Sequence, residues 1–87
     1  MDFVVDKGEV VMMSDRSNYL VVSTIEYEGA GYLHLAKVIG HPLDVDTGFD
    51  FDNMVYAKEI VQEVDGEEKY FLEFVTDEAL IAKLGSL

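Results

Sequence analysis

The sequence predicts a mainly β (α+β) fold, in which an antiparallel meander of about five strands carries one short C-terminal helix packed on it. Three kinds of observation predict it: short runs rich in β-branched and aromatic residues, glycine-containing turn signals between them, and an apolar repeat of helical spacing near the C-terminus. The pattern is compatible with an open sheet and with a small, partly open barrel. At 87 residues the chain has room for one hydrophobic core, so residues 1–87 are predicted to form a single domain.

Two strands are predicted in the N-terminal third of the chain. The first runs from Glu9 to Met13 and ends at a polar cluster, Ser14 to Asn18, whose short side chains favour a turn. The second runs from Tyr19 to Tyr27 and is rich in β-branched and aromatic residues. Strict alternation along it places Tyr19, Val21, Ile25 and Tyr27 on one face, and Leu20 and Val22 on the other with Thr24, Glu26 and Glu28.

Two hairpin signals organise the remaining strands. The segment Glu28-Gly29-Ala30-Gly31 offers glycines for a tight turn into a third strand, Tyr32 to Ile39. The segment Asp65-Gly66-Glu67-Glu68 predicts a second hairpin, which joins a fourth strand from Met54 to Val64 to a fifth from Lys69 to Val75.

The C-terminal residues predict one helix of about two turns. Thr76 is the predicted N-cap, and Asp77 and Glu78 lie in the first turn, where the helix dipole favours negative charge. Apolar residues then recur at helical spacing before Gly85: Leu80, Ile81 and Leu84. A helix this short is unstable alone in water, so it is expected only if Leu80 and Leu84 pack on the sheet.

The charge balance excludes some partners and favours others. Eighteen acidic residues against six basic ones give a formal net charge of -12, and the acidic residues are spread from Asp2 to Glu78. Direct binding of nucleic acid needs clustered lysines and arginines, which this chain lacks, so the expected partner is a protein with a basic surface. The absence of cysteine fits a reducing compartment, and no apolar run could span a membrane, so a cytoplasmic protein is expected.

Residues 40–53 are predicted to form a long acidic loop, with aspartates alternating with valine, threonine and phenylalanine. One interpretation is a weak calcium site, although the spacing does not match the helix-loop-helix calcium loop: counted from Asp44, its fifth and sixth places hold Gly48 and Phe49. A second is a solvated loop with Phe49 and Phe51 turned inward. A third is a loop that anchors a basic partner through its aromatic rings and carboxylates.

On the third interpretation, the candidate partner-binding residues are Asp44, Asp46, Phe49, Asp50, Phe51 and Asp52. No catalytic residue, metal ligand or cofactor is predicted elsewhere. His34 and His41 are the only histidines, no cysteine could complete a zinc site with them, and the serines lie in no recognised nucleophile motif. Glycine-rich nucleotide motifs and HExxH are also missing, so an enzyme is not expected.

The segments that carry a resemblance to other proteins are Gly8-Glu9-Val10-Val11, Asn18-Tyr19-Leu20-Val21-Val22, Tyr32-Leu33-His34-Leu35, Glu63-Val64-Asp65-Gly66-Glu67 and Thr76-Asp77-Glu78-Ala79-Leu80. Together they are similar to small acidic proteins of unknown function from Gram-positive bacteria and their mobile elements. The resemblance covers most of the chain and implies a bacterial origin. It brings no activity and no functional residues, and the acidic loop lies outside it.

These observations favour a small acidic, non-catalytic protein-binding module that docks on the basic surface of another protein. In its sharpest form, the domain imitates the phosphate charge of nucleic acid and inhibits a nucleic-acid enzyme, as phage-encoded inhibitors of bacterial defence do. Two alternatives stay open. One is a homo-oligomeric structural or assembly component that pairs its edge strands or buries a sheet face. The other is a weak calcium-binding or small-ligand-binding protein centred on the acidic loop.

Overall fold

The computed structural model describes residues 5–40 and 48–87 and confirms the predicted mainly β architecture. The elements are β1 (Val10–Met12), β2 (Asn18–Tyr27), β3 (Ala30–Ile39), β4 (Gly48–Val64), β5 (Glu67–Phe74) and α1 (Glu78–Gly85). All neighbouring strands are antiparallel, and their order in the sheet is β1-β2-β3-β4-β5, which is a simple meander. The last residues of β2, β3 and β4 coincide with the predicted ones, and apart from the start of β4 the other strand ends differ by one or two residues.

The sheet is curled into a half-barrel, and one aromatic contact demonstrates the curl. The rings of Tyr19 on β2 and Phe74 on β5 meet edge-to-face, with their centroids 5.7 Å apart. Since β3 and β4 lie between these strands in the sheet, the two rings can touch only across a concave face. The partly open barrel is therefore the correct alternative.

Both hairpin signals form the turns that the sequence predicts. Tyr27 pairs with Ala30 and Val64 pairs with Glu67, so each turn has two central residues, Glu28-Gly29 in one and Asp65-Gly66 in the other. All four have positive φ, from 50° to 81°. This is the type I′ geometry, whose twist matches that of the flanking strands and whose second position favours glycine.

A β-bulge in β2 divides the side chains of this strand between the two faces of the sheet. The register against β3 shifts by one residue between Val21 and Ser23, so Val22 is an extra residue. Tyr19 and Val21 consequently lie in the concave core, whereas Tyr27 packs on the opposite, convex face. The strict alternation predicted along β2 is wrong after Val22. One inserted residue moves each later side chain of the strand to the opposite face of the sheet from the one predicted.

The two faces carry separate cores. The concave face holds the larger one, whose buried members are Met13, Tyr19, Val21, Leu33, Leu35 and Ala57. The convex face holds a smaller one, built from Tyr32, Tyr56 and Leu84, with Leu80 and Ile81 packed against it. The predicted docking of α1 through its apolar residues is thereby confirmed, and it covers only one end of the convex face.

The N-cap of α1 differs from the prediction by one residue. The carboxylate of Asp77, not the hydroxyl of Thr76, accepts hydrogen bonds from the backbone N–H groups of Ala79 and Leu80, at 3.0 and 3.4 Å. A carboxylate accepts these bonds and also meets the positive end of the helix dipole, which favours Asp77 over the neighbouring threonine. Within the described part of the chain, no helix is long and apolar enough to cross a membrane.

The predicted loop over residues 40–53 is wrong for its second half, because Gly48 to Asn53 belong to β4. This strand is 17 residues long and pairs with β3 from its first residue, where Gly48 lies opposite Ile39. Alternating phenylalanine and aspartate suit a strand with one apolar and one solvated side. Residues 41–47 of the predicted loop lie outside the described residues.

Candidate functional site

The candidate site lies at the end of the β3–β4 hairpin. Phe49, Asp50, Phe51 and Asp52 follow one another at the start of β4, so the structure brings these four sequence-predicted residues together. The other two predicted site residues, Asp44 and Asp46, lie outside the described residues.

Phe49 and Phe51 form an aromatic pair on the surface. Their ring centroids are 6.0 Å apart and the rings are tilted by 55°. The two residues retain 36% and 57% of their accessible surface, so the interpretation that turned them inward is wrong. Residues i and i+2 of a strand project to the same face, and this puts both rings at the same end of the hairpin.

Asp50 shapes the backbone beside the aromatic pair. Its Oδ1 accepts hydrogen bonds from the backbone N–H groups of Asp52 and Asn53, both at 3.2 Å, and its Oδ2 accepts one from the Asn53 Nδ2 at 3.3 Å. Such local bonds stabilise a bend in the chain. They coincide with an irregularity in the β3–β4 register, between the pairs of Leu35 and Lys37. Asp50 is thus a structural carboxylate, while Asp52 is exposed beside the rings.

The strand register places further apolar residues on the same face of the sheet as the Phe49–Phe51 pair. Met12 lies opposite Asn18, and Val38 lies opposite Phe49. Because Tyr19 pairs with Lys37, the same antiparallel register places Asn18 beside Val38, so these four residues form one row over four strands. Val11 packs into the concave core, so its neighbours in β1 project from the other face. We call the exposed residues of this region the convex apolar patch; they are Val10, Met12, Phe49 and Phe51.

Sequence reasoning missed the β1 half of this patch. Val10 and Met12 are 54% and 68% exposed, although valine and methionine are residue types that are more often buried. Only the strand order and the register show that they share a face with Phe49, and neither can be read from a single sequence. The one signal in the sequence was the shortness of the predicted first strand, Glu9 to Met13, which is typical of an edge strand.

His34 is a packing residue. Its imidazole stacks on the ring of Tyr56, with centroids 4.4 Å apart and planes 8° from parallel. Burial lowers the pKa of His34, so the imidazole is predominantly neutral at neutral pH. The convex face therefore gains no positive charge from this residue. His41 lies outside the described residues.

Among residues 5–40 and 48–87, no three side chains of histidine, cysteine, aspartate or glutamate gather closely enough to hold a metal ion. Asp44 and Asp46 are not among these residues, so the calcium hypothesis stays a prediction. What the described site offers is an exposed aromatic pair beside carboxylates. That arrangement suits recognition of another macromolecule better than bond-making chemistry.

Comparison with protein-family models, with curated proteins and with solved structures finds no match to this chain. The resemblance to small acidic bacterial proteins therefore stays a prediction, and the proposal for function rests on the geometry and charge of this molecule alone.

Proposed function

We propose that this protein is a non-catalytic binding module that docks on the basic surface of another protein through the convex apolar patch. The observation that carries the proposal is the exposed Phe49–Phe51 pair. A small domain gains stability by burying aromatic rings, and two contacting rings on its surface mark a site where a partner would bury them. Aromatic residues, phenylalanine included, are also enriched at the buried centres of protein interfaces.

The negative charge of the domain supports a partner that carries positive charge. Asp52 lies next to the rings, and the whole chain carries a formal charge of -12. Such a field speeds encounter with a positively charged surface and disfavours acidic ones. In its sharpest form, the proposal makes the domain a nucleic-acid mimic that occupies the nucleic-acid site of an enzyme. The rings would then supply contacts that a phosphate backbone lacks.

The test is affinity capture from a host lysate with matched variants. Phe49→Ser combined with Phe51→Ser removes the rings, and we expect it to abolish capture of the partner that the wild type retains. Asp50→Asn combined with Asp52→Asn removes two charges and keeps one of the two oxygen acceptors of Asp50, the one that can bond the backbone N–H groups of Asp52 and Asn53; it should weaken capture at low salt. Val64→Ser is the matched control, because Val64 is 40% exposed near the other end of β4.

Two outcomes would contradict the proposal. One is a captured partner whose retention is the same for the wild type and the ring-deleted variant. The other is an affinity that does not change between low and high salt, since contacts between exposed charges weaken as ions screen them. Circular dichroism of each variant confirms that it is folded before its binding is interpreted.

A further inference from the structure

The outer half of the β4–β5 hairpin extends as a two-stranded arm. β3 pairs with β4 only as far as Lys58, whereas β5 continues to pair with β4 up to Val64. Along the arm, β5 has β4 on one side, and no described strand pairs with its other edge. A strand edge of this kind presents backbone N–H and C=O groups that can bond to another strand.

The register identifies which backbone groups face outward. Antiparallel pairs alternate between hydrogen-bonded and non-hydrogen-bonded positions, and the pair next to a two-residue turn, here Val64 and Glu67, is hydrogen-bonded. The bond from the Val75 N–H to the Tyr56 C=O, at 2.9 Å, fits the same alternation at the other end of β5. The residues whose N–H and C=O groups face the free edge are therefore Glu68, Tyr70, Leu72 and Phe74.

A groove lies along this edge, where the half-barrel stays open. It has a volume of about 420 Å³, and its lining includes Ser14 from the β1–β2 turn together with Phe71, Leu72, Glu73 and Phe74 of β5. Phe71 is 47% exposed and offers an apolar surface to a side chain lying there. The groove combines a main-chain edge with apolar walls, as sites that accept an added strand do.

The charges beside the groove are mostly negative. Glu67, Glu68 and Glu73 are exposed on β5, and the single lysine of the strand, Lys69, lies 3.6 Å from the Glu67 carboxylate. These glutamates protect the edge from pairing with a second copy of this acidic chain, because like charges would then approach each other. The same glutamates attract a strand that carries lysine or arginine.

Two buried oxygen atoms near the edge are also without partners. The hydroxyl of Tyr70 and the Oε1 of Glu59 are shielded from solvent and make no hydrogen bond among the described residues. Burial, and then the interaction of the hydroxyl with the nearby Glu59 carboxylate, raise the pKa of Tyr70, so the hydroxyl keeps its proton; the two side chains face each other without forming a hydrogen bond of good geometry. A buried polar atom without a partner costs free energy, and an incoming cationic side chain could bond to both oxygens.

We propose that the free edge of β5 accepts an added strand from a basic partner, an extended segment in which lysine or arginine alternates with apolar residues. The main chain of that segment would pair with the outward-facing groups of β5, and its apolar side chains would lie against Phe71. The inference rests on the proposed function in one respect only: it takes the partner to be positively charged. The edge is a different surface from the convex apolar patch, so each can fail alone.

The probe is a short synthetic peptide that alternates lysine and valine, added to the full-length protein. Hydrogen exchange measured by NMR should show new protection of the Glu68 and Tyr70 amides, while Lys69 and Phe71, already bonded to β4, change little. N-methylation of alternate peptide residues should weaken binding by about tenfold, the loss expected for one or two main-chain hydrogen bonds. Phe49→Ser combined with Phe51→Ser should leave peptide affinity unchanged.

A matched pair of variants tests the edge itself. Glu68→Pro removes an outward-facing donor from an edge strand, where proline is tolerated, and Glu68→Ala removes the same charge but keeps the donor. Peptide binding should fall about tenfold more in the proline variant than in the alanine variant. The proposal is overturned if a glutamate-valine peptide binds equally well, if the protected amides lie away from β5, or if the β5 amides become protected by concentration alone, which would indicate a second copy.

Discussion

The hydroxyl of Tyr19 donates a hydrogen bond of 2.6 Å to the Asp15 Oδ2, and this bond joins the β1–β2 turn to the concave core. Burial is the main cause that raises the pKa of Tyr19 to about 12, and the Asp15 carboxylate adds to it. Asp15→Asn should therefore lower the Tyr19 pKa only part of the way towards 10.0. An NMR titration of the labelled tyrosine ring measures this. A fall all the way to the ordinary value would show that burial does not matter.

The same pair predicts a pH dependence of stability. Because the pKa of Tyr19 is higher in the folded state, its contribution is complete below pH 10.0 and is lost as the pH rises through about 12. The bond to Tyr19 lowers the pKa of Asp15, so the contribution of Asp15 is present above its ordinary value of 3.8 and is lost in stronger acid. Tyr19→Phe keeps the ring contact with Phe74 but removes the hydroxyl. The free energy of unfolding of this variant should therefore depend less on pH, both in strong acid and above pH 10.0. Unchanged slopes in this variant would contradict the assignment.

At the scale of an element, α1 depends on its cap and on its packing. It has eight residues, too few for a stable isolated helix, and Asp77 bonds two of its first N–H groups. We expect Asp77→Ala to lower the free energy of unfolding by about 1 kcal/mol, measured by urea denaturation. Thr76→Ala is the matched control and should have little effect. Equal losses of the free energy of unfolding in the two variants would contradict the assignment of the N-cap to Asp77 alone.

The strands show what a single sequence can and cannot predict. The two type I′ turns were predictable because Gly29, Asp65 and Gly66 are residues that positive φ favours, whereas Glu28 adopts a positive φ that its residue type does not predict. The reversal of facing at Val22 was not, since a bulge depends on how β2 fits β3 and leaves no local mark in the sequence. The strand character of Gly48 to Asn53 was hidden by its aspartates, which resemble loop residues until their pairing with β3 is known.

The candidate site, like the strands, was predictable from the sequence only in part. The association of Phe49 and Phe51 with carboxylates was visible in the sequence, because the residues are neighbours in the chain. Their exposure was not, because it depends on which end of the convex face α1 covers. The contribution of Met12 was likewise hidden, since it reaches this face only through the strand order. Local chemistry could be predicted here, and the assembly of surfaces from distant strands could not.

At the scale of the whole molecule, a charge of -12 on 87 residues should make stability depend on ionic strength. Repulsion among the carboxylates opposes the compact state, and at about 0.1 M salt the screening length falls to about 10 Å. We expect sodium chloride to raise the melting temperature by a few degrees between low and physiological ionic strength, measured by calorimetry. A neutral osmolyte at equal osmolality is the control for effects that do not involve charge.

One cross-strand pair locates part of this repulsion. Glu63 and Glu68 lie directly opposite each other on β4 and β5, and both are exposed. Like charges in this position destabilise a sheet, and opposite charges stabilise it by roughly 0.2–1 kcal/mol. Glu63→Lys should therefore melt at a higher temperature than the wild type in low salt, and its melting temperature should respond less to added salt. If the variant and the wild type respond equally, the repulsion is spread over the molecule and this pair contributes no special part of it.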